Sequence, residues 1–263
     1  QTLTNTTSAP ATLTYTVTAD ANGCKGDGFD IVVTVNPDGQ VNAVADQTLC
    51  NGDSTLAVTF ATTNTGSGTT TYNWVNDNTA IGLAANGTGD ISSFTATSSA
   101  VAPIVGNITV TPVYENNGVS CTGTAETFSI TVNPSPLVNF SEADQVIVTG
   151  ETTTAVDLTS PTTDVTFAWT VSVPTGITGV TTSTGTDNIP AETLINSTTE
   201  PLDVVYTAIA TGDVGFDCEG LPTDYTVTVN PQAQVNPVDN QVVCNDENLT
   251  IEFSTIVTGG TTT

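Results

Sequence analysis

Between residues 38 and 134, apolar and polar positions alternate in short runs that Gly, Asn or Asp interrupt every few residues. Alternation with a period of two is the pattern of half-buried antiparallel strands. It predicts strands at "QVNAVAD", "LAVTFAT", "TTYNWVN", "ISSFTAT", "GNITVTPVY" and "TFSITVN". Six or seven strands in roughly 100 residues, separated by turn signals such as "NNG" and "NGTG", predict an immunoglobulin-like β-sandwich. No stretch carries a helical period of useful length. Tyr72 with Trp74, and Phe167 with Trp169, stand two apart on a strand, so each pair faces one side. That side is read as core; the competing reading is an exposed aromatic platform for sugar rings.

The pattern repeats. The tetrapeptide "TVNP" ends at Pro37, Pro134 and Pro231, in steps of 97 residues, and Cys24, Cys121 and Cys218 keep the same step. "ADQTLCNGDS" from Ala45 returns as "ADQVIVTGET" from Ala143 and "DNQVVCNDEN" from Asp239. A fixed period of this size marks tandem modules. Two complete copies are expected at 38–134 and 135–231, with the end of a copy at 1–37 and the beginning of one at 232–263. The closing "GGTTT" lines up with "GSGTTT" from Gly66, and the chain contains no Met. The sequence is therefore read as a window on a longer protein. In each "TVNP" a last strand ends at a Pro that cannot donate to a ladder. The next strand follows within a few residues, so the modules are expected end to end with little hinge motion.

Composition narrows the function. Thr fills 57 positions, in keeping with strands. Twenty-seven acids against the single base Lys25 give a net charge of −26. Such a field repels phosphate backbones and anionic lipid, so neither nucleic acid nor direct membrane insertion is expected. With no His and one Lys, Ser-His-Asp, Cys-His and Lys-based nucleophiles cannot be assembled in each module, nor can Lys–Asn isopeptide staples. No pair of acids recurs in equivalent places, and no enzyme activity, catalytic residue or cofactor is expected.

Structural calcium is the one ion left open. "DANGCKGDGFD", Asp20 to Asp30, is the densest acidic loop but lacks EF-hand spacing, Asp38 is the one carboxylate at a "TVNP" junction, and Asp53, Glu151 and Glu247 supply one recurring carboxylate per copy. The N-x-S/T triplets at Asn5, Asn86, Asn107, Asn139, Asn196 and Asn248 are set aside as chance products of a Thr-rich chain.

"TLTNTTSAPATLTYTVTADANGC", "DQTLCNGD", "TYNW" and "GLAANGTGDISSFTATSS" resemble the PKD-like, immunoglobulin-type repeats of giant secreted surface adhesins of Bacteroidota, including gliding-motility adhesins. The resemblance covers the whole chain. It departs from standard PKD domains at the Trp strands, which read "WVNDNTAIGL" and "WTVSVPTGIT" rather than W-x-F-G-D-G. It implies β-sandwich repeats, export by the type IX secretion machinery and a place at the cell surface. The implied role is the stalk of an adhesin whose other regions meet a surface or polysaccharide target. Glycan-binding modules, or spacers of an exported hydrolase, are the alternatives. "DST" at Asp53 to Thr55 resembles the short O-glycosylation acceptor of that phylum.

The cysteines suggest an oxidising compartment. Read by the repeat, each module holds one Cys before its second strand and one leading to its last. This predicts a Cys50–Cys121 disulfide closing a loop of about 72 residues, worth roughly 4 kcal/mol. Cys24 and Cys244 lose their partners beyond the window. Cys218, opposite Val148, is expected as a free thiol.

Overall fold

The computed structural model describes residues 1–212, 215 and 217–257, and "GGTTT" lies outside the described residues. The chain divides into two compact units, Gln1–Pro134 and Ser135–Thr263. Both are all-β; among the described residues the sole helical element is a 3-10 turn at Thr79–Ile81.

The first unit is organised around the strand Ile104–Asn116, whose side chains alternate in burial along its length. Ile108, Val110 and Tyr114 are at most 1% exposed, and burying each aliphatic side chain contributes about 1.5–3 kcal/mol. On one side this strand pairs with Thr69–Asn76. On the other it pairs first with Glu126–Asn133 and then with Val119–Thr122. Pro112, which has no N–H to offer, falls where one neighbour ends and the other begins. Asn117 and Gly118, with φ of 54° and 75°, form the tight turn between the long strand and Val119–Thr122. Gln47–Cys50 completes the sheet by pairing in parallel with the last strand, Cys50 opposite Asn133. Residues Ala11–Val17 and Phe29–Val35 form a separate antiparallel hairpin.

Facing this sheet is a layer with little regular ladder. The expected strands "QVNAVAD", "LAVTFAT" and "ISSFTAT" run alongside one another without a continuous ladder, joined by the isolated bridges Ser54 with Thr95 and Val58 with Ile91 and by single backbone bonds such as that from the Asn42 N–H to the Ala61 carbonyl. Side chains complete what the backbone leaves. Thr55 Oγ1 donates to the Phe94 carbonyl and accepts from the Phe94 N–H, and Asp90 accepts from the Phe60 N–H at 3.0 Å. Val58, Phe60, Ile91 and Ala96 from this layer close the core over Trp74, Ile108, Val110, Phe128, Ile130 and Val132. The result is a sandwich with one regular and one loosely paired face.

The second unit repeats the order: Gln145–Val148, Thr223–Asn230, Leu202–Gly212, Val165–Ser172 and Thr184–Gly185. Gln145–Val148 is again parallel to the last strand. Val156 bridges Ile189 where Val58 bridges Ile91, and the Asn188 side-chain carbonyl accepts from the Leu158 N–H at 3.0 Å.

The two cores differ at several positions, one of which carries an acid in the second unit. Phe94 of the first unit is replaced in the second by Glu192, which is 4% exposed. Its carboxylate accepts from the Thr181 N–H and hydroxyl at 2.7 and 2.9 Å, and from the Tyr206 hydroxyl at 2.8 Å. A buried carboxylate is tolerable when donors surround it in this way. Burial and the neighbouring Glu192 carboxylate push the Tyr206 hydroxyl's pKa far above its ordinary value.

Candidate functional site

Both tryptophans are core residues, Trp74 at 7% and Trp169 at 3% exposure. Each ring lies over a glycine on the neighbouring strand, Gly87 or Gly185. A Cβ added there would fall 2.2 Å from Trp74 Cζ2 or 2.5 Å from Trp169 Cζ2. Each indole N–H is satisfied, donating to the Gly89 carbonyl at 3.2 Å or the Asp187 carbonyl at 2.7 Å. Tyr72 packs on Phe60 at 5.2 Å between ring centroids, and Trp169 meets Tyr206 edge-on at 5.7 Å. Neither tryptophan offers a ring face for sugar stacking.

The recurring "ADQ…C-x-G-D" segment is a hydrogen-bonded cassette. Asp46 accepts from the Ser129 N–H at 2.6 Å, and Asp144 from the Thr226 N–H at 2.8 Å. Ser129's backbone and side chain thereby hold the exposed Asp46 carboxyl below its ordinary pKa. The next residue reaches the opposite layer. Gln47 accepts from the Leu56 N–H and donates to the Leu56 carbonyl, and Gln145 does the same at Thr154. The cassette closes in a turn. Asp53, Glu151 and Glu247 accept from the N–H groups of Cys50, Val148 and Cys244 at 3.1, 2.8 and 3.0 Å. The residue before each acid, Gly52, Gly150 or Asp246, has positive φ.

Of the carboxylates weighed as calcium ligands, Asp20, Asp53, Glu151 and Glu247 accept from backbone N–H groups instead. Asp20 caps the turn at Gly23, and Asp30 accepts from the Thr16 hydroxyl. Asp38 lines an open polar hollow of about 440 Å³ with Thr4, Gln40 and Glu126. Among the described residues no three Asp, Glu, Cys or His side chains converge as a metal site.

Two of the triplet asparagines set aside in the sequence as chance hold backbone in the fold. Asn196 is 5% exposed and donates to the carbonyls of Val229 and Glu200, both at 2.8 Å, tying down the last strand. Asn5 does the equivalent at Val35 and Ala9. Both begin N-x-T-S/T runs, "NTTS" and "NSTT", and the signal lay in that shared placement ahead of a strand.

The cysteines overturn the expected pairing. Cys121, like Cys24 and Cys244, carries a free thiol, and neither Cys50 nor Cys218 is a free one. Cys50 lies opposite Asn133, beyond the Ile104–Val132 pair, and Cys121 lies opposite Tyr114. Ten residues of extended strand separate those positions, about 33 Å, against the 4.4–6.8 Å between Cα atoms that a disulfide spans. The Cys50–Cys121 bond cannot form, and Cys218, buried at 1%, is not the free thiol expected.

No helix among the described residues is long and apolar enough to cross a membrane. No curated protein matches the sequence. Among solved structures, the chain is similar to human CDH23 EC21-23, with a TM-score of 0.38, 12% identity and coverage of 83% of this chain and 80% of that one. Mouse cadherin-23 EC22-24 gives 0.35, 14%, 84% and 74%. The insect immune protein hemolin gives 0.31 and 16% over 83% of this chain, which spans 56% of hemolin's length. The family profile described as PKD-like domain matches residues 1–39 and 145–233.

Proposed function

We propose that the chain is a run of structural modules, with repeating units 38–134 and 135–231, from the stalk of a long extracellular adhesin. Its work is to hold a distal binding region away from the surface that carries it. The observation behind this reading is that the recurring residues are consumed internally. The tryptophans fill cores, and the acids and glutamines of the cassette bind backbone. A module that recognised a ligand would keep some repeated side chains turned outward. The PKD-like match and the all-β units agree with a non-catalytic role.

Export by the type IX route and a place in a gliding adhesin extend the same proposal and rest on the sequence resemblance. The test is a glycan array probed with the intact 263-residue chain. No saturable binding is expected, and a glycan bound in a Trp74- or Trp169-independent manner at micromolar concentration would overturn the reading in favour of recognition modules.

A further inference from the structure

We propose that the passage from one repeat to the next is a fastened joint, keyed by a reciprocal amide pair between Asn36 and Asn116, rather than a hinge. The inference rests on reading 1–37 and 38–134 as consecutive repeats of a stalk, and every contact it uses lies inside the unit Gln1–Pro134. Asn36 is the Asn of the first "TVNP" and follows the strand Phe29–Val35. Asn116 ends the long strand of the next repeat and is 6% exposed. Asn36 Nδ2 donates to the Asn116 carbonyl at 3.2 Å, and Asn116 Nδ2 donates back to Asn36 Oδ1 at 2.9 Å. Asn116 Oδ1 accepts from the Ser67 hydroxyl at 3.2 Å, so both ends of this buried amide have a partner. Losing one partner would leave a buried donor or acceptor unmet, which costs more than the bond itself returns. The pair therefore resists opening more than an exposed contact would.

The short connection after Pro37 is held from two sides as well. The Gly39 N–H donates to the Cys121 carbonyl at 3.2 Å, and the Gln40 N–H donates to Asn64 Oδ1 at 2.7 Å. Asn64 Nδ2 donates in turn to the Asp38 carbonyl at 3.0 Å. Pro37 and Gly39 are buried. Backbone that starts from a Pro and has its polar groups fixed in this way keeps little dihedral freedom. A further contact sits beside the amide pair. The Thr65 N–H donates to the Ser8 carbonyl at 2.8 Å, and Gly66, with φ of 98°, presses on Pro10 so closely that a Cβ would fall 2.8 Å from its Cδ. The loop that makes this contact is itself fixed, because the Tyr114 hydroxyl donates to the Thr65 carbonyl and accepts from the Gly68 N–H. The earlier repeat thus meets the later one both at the end of its last strand and at Ser8 to Pro10, which opposes bending about either point alone.

Hydrogen exchange of the intact 263-residue chain at neutral pH, read by mass spectrometry on the peptide containing Gly39 and Gln40, tests the joint. In the wild type these two amides should exchange at least about tenfold more slowly than in an unstructured peptide. Asn36→Ala and Asn116→Ala should each speed that exchange about fivefold, the scale of one lost hydrogen bond, while the amides of Glu126–Asn133 keep their wild-type rates. The double variant should be no faster than the faster single one, because both substitutions break the same pair. Asn36 stands outside the strands, so its variant gives the reading even if Asn116→Ala does not fold. Unprotected Gly39 and Gln40 in the wild type, unchanged exchange in the variants, a double-variant effect equal to the product of the singles, or loosening that spreads to Glu126–Asn133 overturns the proposal. Glycan binding on the array would defeat the stalk reading and leave these exchange rates untouched, so the two failures are told apart.

Discussion

At the scale of single residues, the strongest constraints come from side chains whose partner lies on another strand. Gly185 sits under the Trp169 ring with no room for a methyl group. Gly185→Ala must displace that ring and its bond to Asp187, costing about 1–3 kcal/mol as overpacking does, to be read as a lowered urea midpoint of Trp169 fluorescence in a W74F background. The buried pair Glu192–Tyr206 makes a second prediction. Removing the Tyr206 hydroxyl takes a donor from a buried carboxylate, and Tyr206→Phe should cost about 1–3 kcal/mol at neutral pH. The hydroxyl's raised pKa sets the pH dependence. The neutral form is favoured in the folded unit, so this stability is fully present below the unfolded tyrosine value of about 10 and is lost as pH rises beyond it. Tyr225, also raised chiefly by burial, adds to the loss. In urea titrations followed through Trp169, wild type should weaken steeply above pH 10 and Tyr206→Phe less so. Burial of Trp74 and Trp169 was legible from their spacing on a strand. The glycines beneath them were not, because they read as turn residues until the cross-strand register is known.

Among the elements, strands with a full backbone ladder were legible and those completed by side chains were not. "GNITVTPVY" and "TFSITVN" alternate because each has a neighbour along its length. "LAVTFAT" alternates equally well, yet Asp90 and Thr55 supply bonds that a neighbouring backbone would otherwise provide. Apolar alternation reports which face is buried and is silent about where the N–H groups go. The cassette turn shows the same limit: its recurring acid was visible as a pattern, and its duty to a backbone N–H was visible only in the fold. Gly150 in that turn has φ of 89° and open space where a Cβ would stand. Gly150→Ala should therefore cost only the backbone term, about 1–2 kcal/mol, below the cost at Gly185; equal losses in parallel denaturation curves would show that the turn is not held as described.

For the whole molecule, a net charge of −26 with one Lys leaves carboxylates to repel one another. Thermal midpoints should rise by several degrees between 10 and 500 mM NaCl, since about 1 kcal/mol of relieved repulsion moves domains of this size by roughly 4 °C. Calcium and magnesium at matched ionic strength should act alike; a rise specific to calcium in differential scanning calorimetry would point to a dedicated ion site. The period of the repeat was legible at this scale, but the ends of the module at which its cysteines stand were not. That depends on Gln47–Cys50 lying parallel to Glu126–Asn133, a choice that spacing in sequence does not encode. The same parallel pairing governs how a module bears load. Tension drawing its first strand backward and its last strand forward pulls the two along their common axis, so the hydrogen bonds between them resist together in shear and cannot be unzipped one at a time.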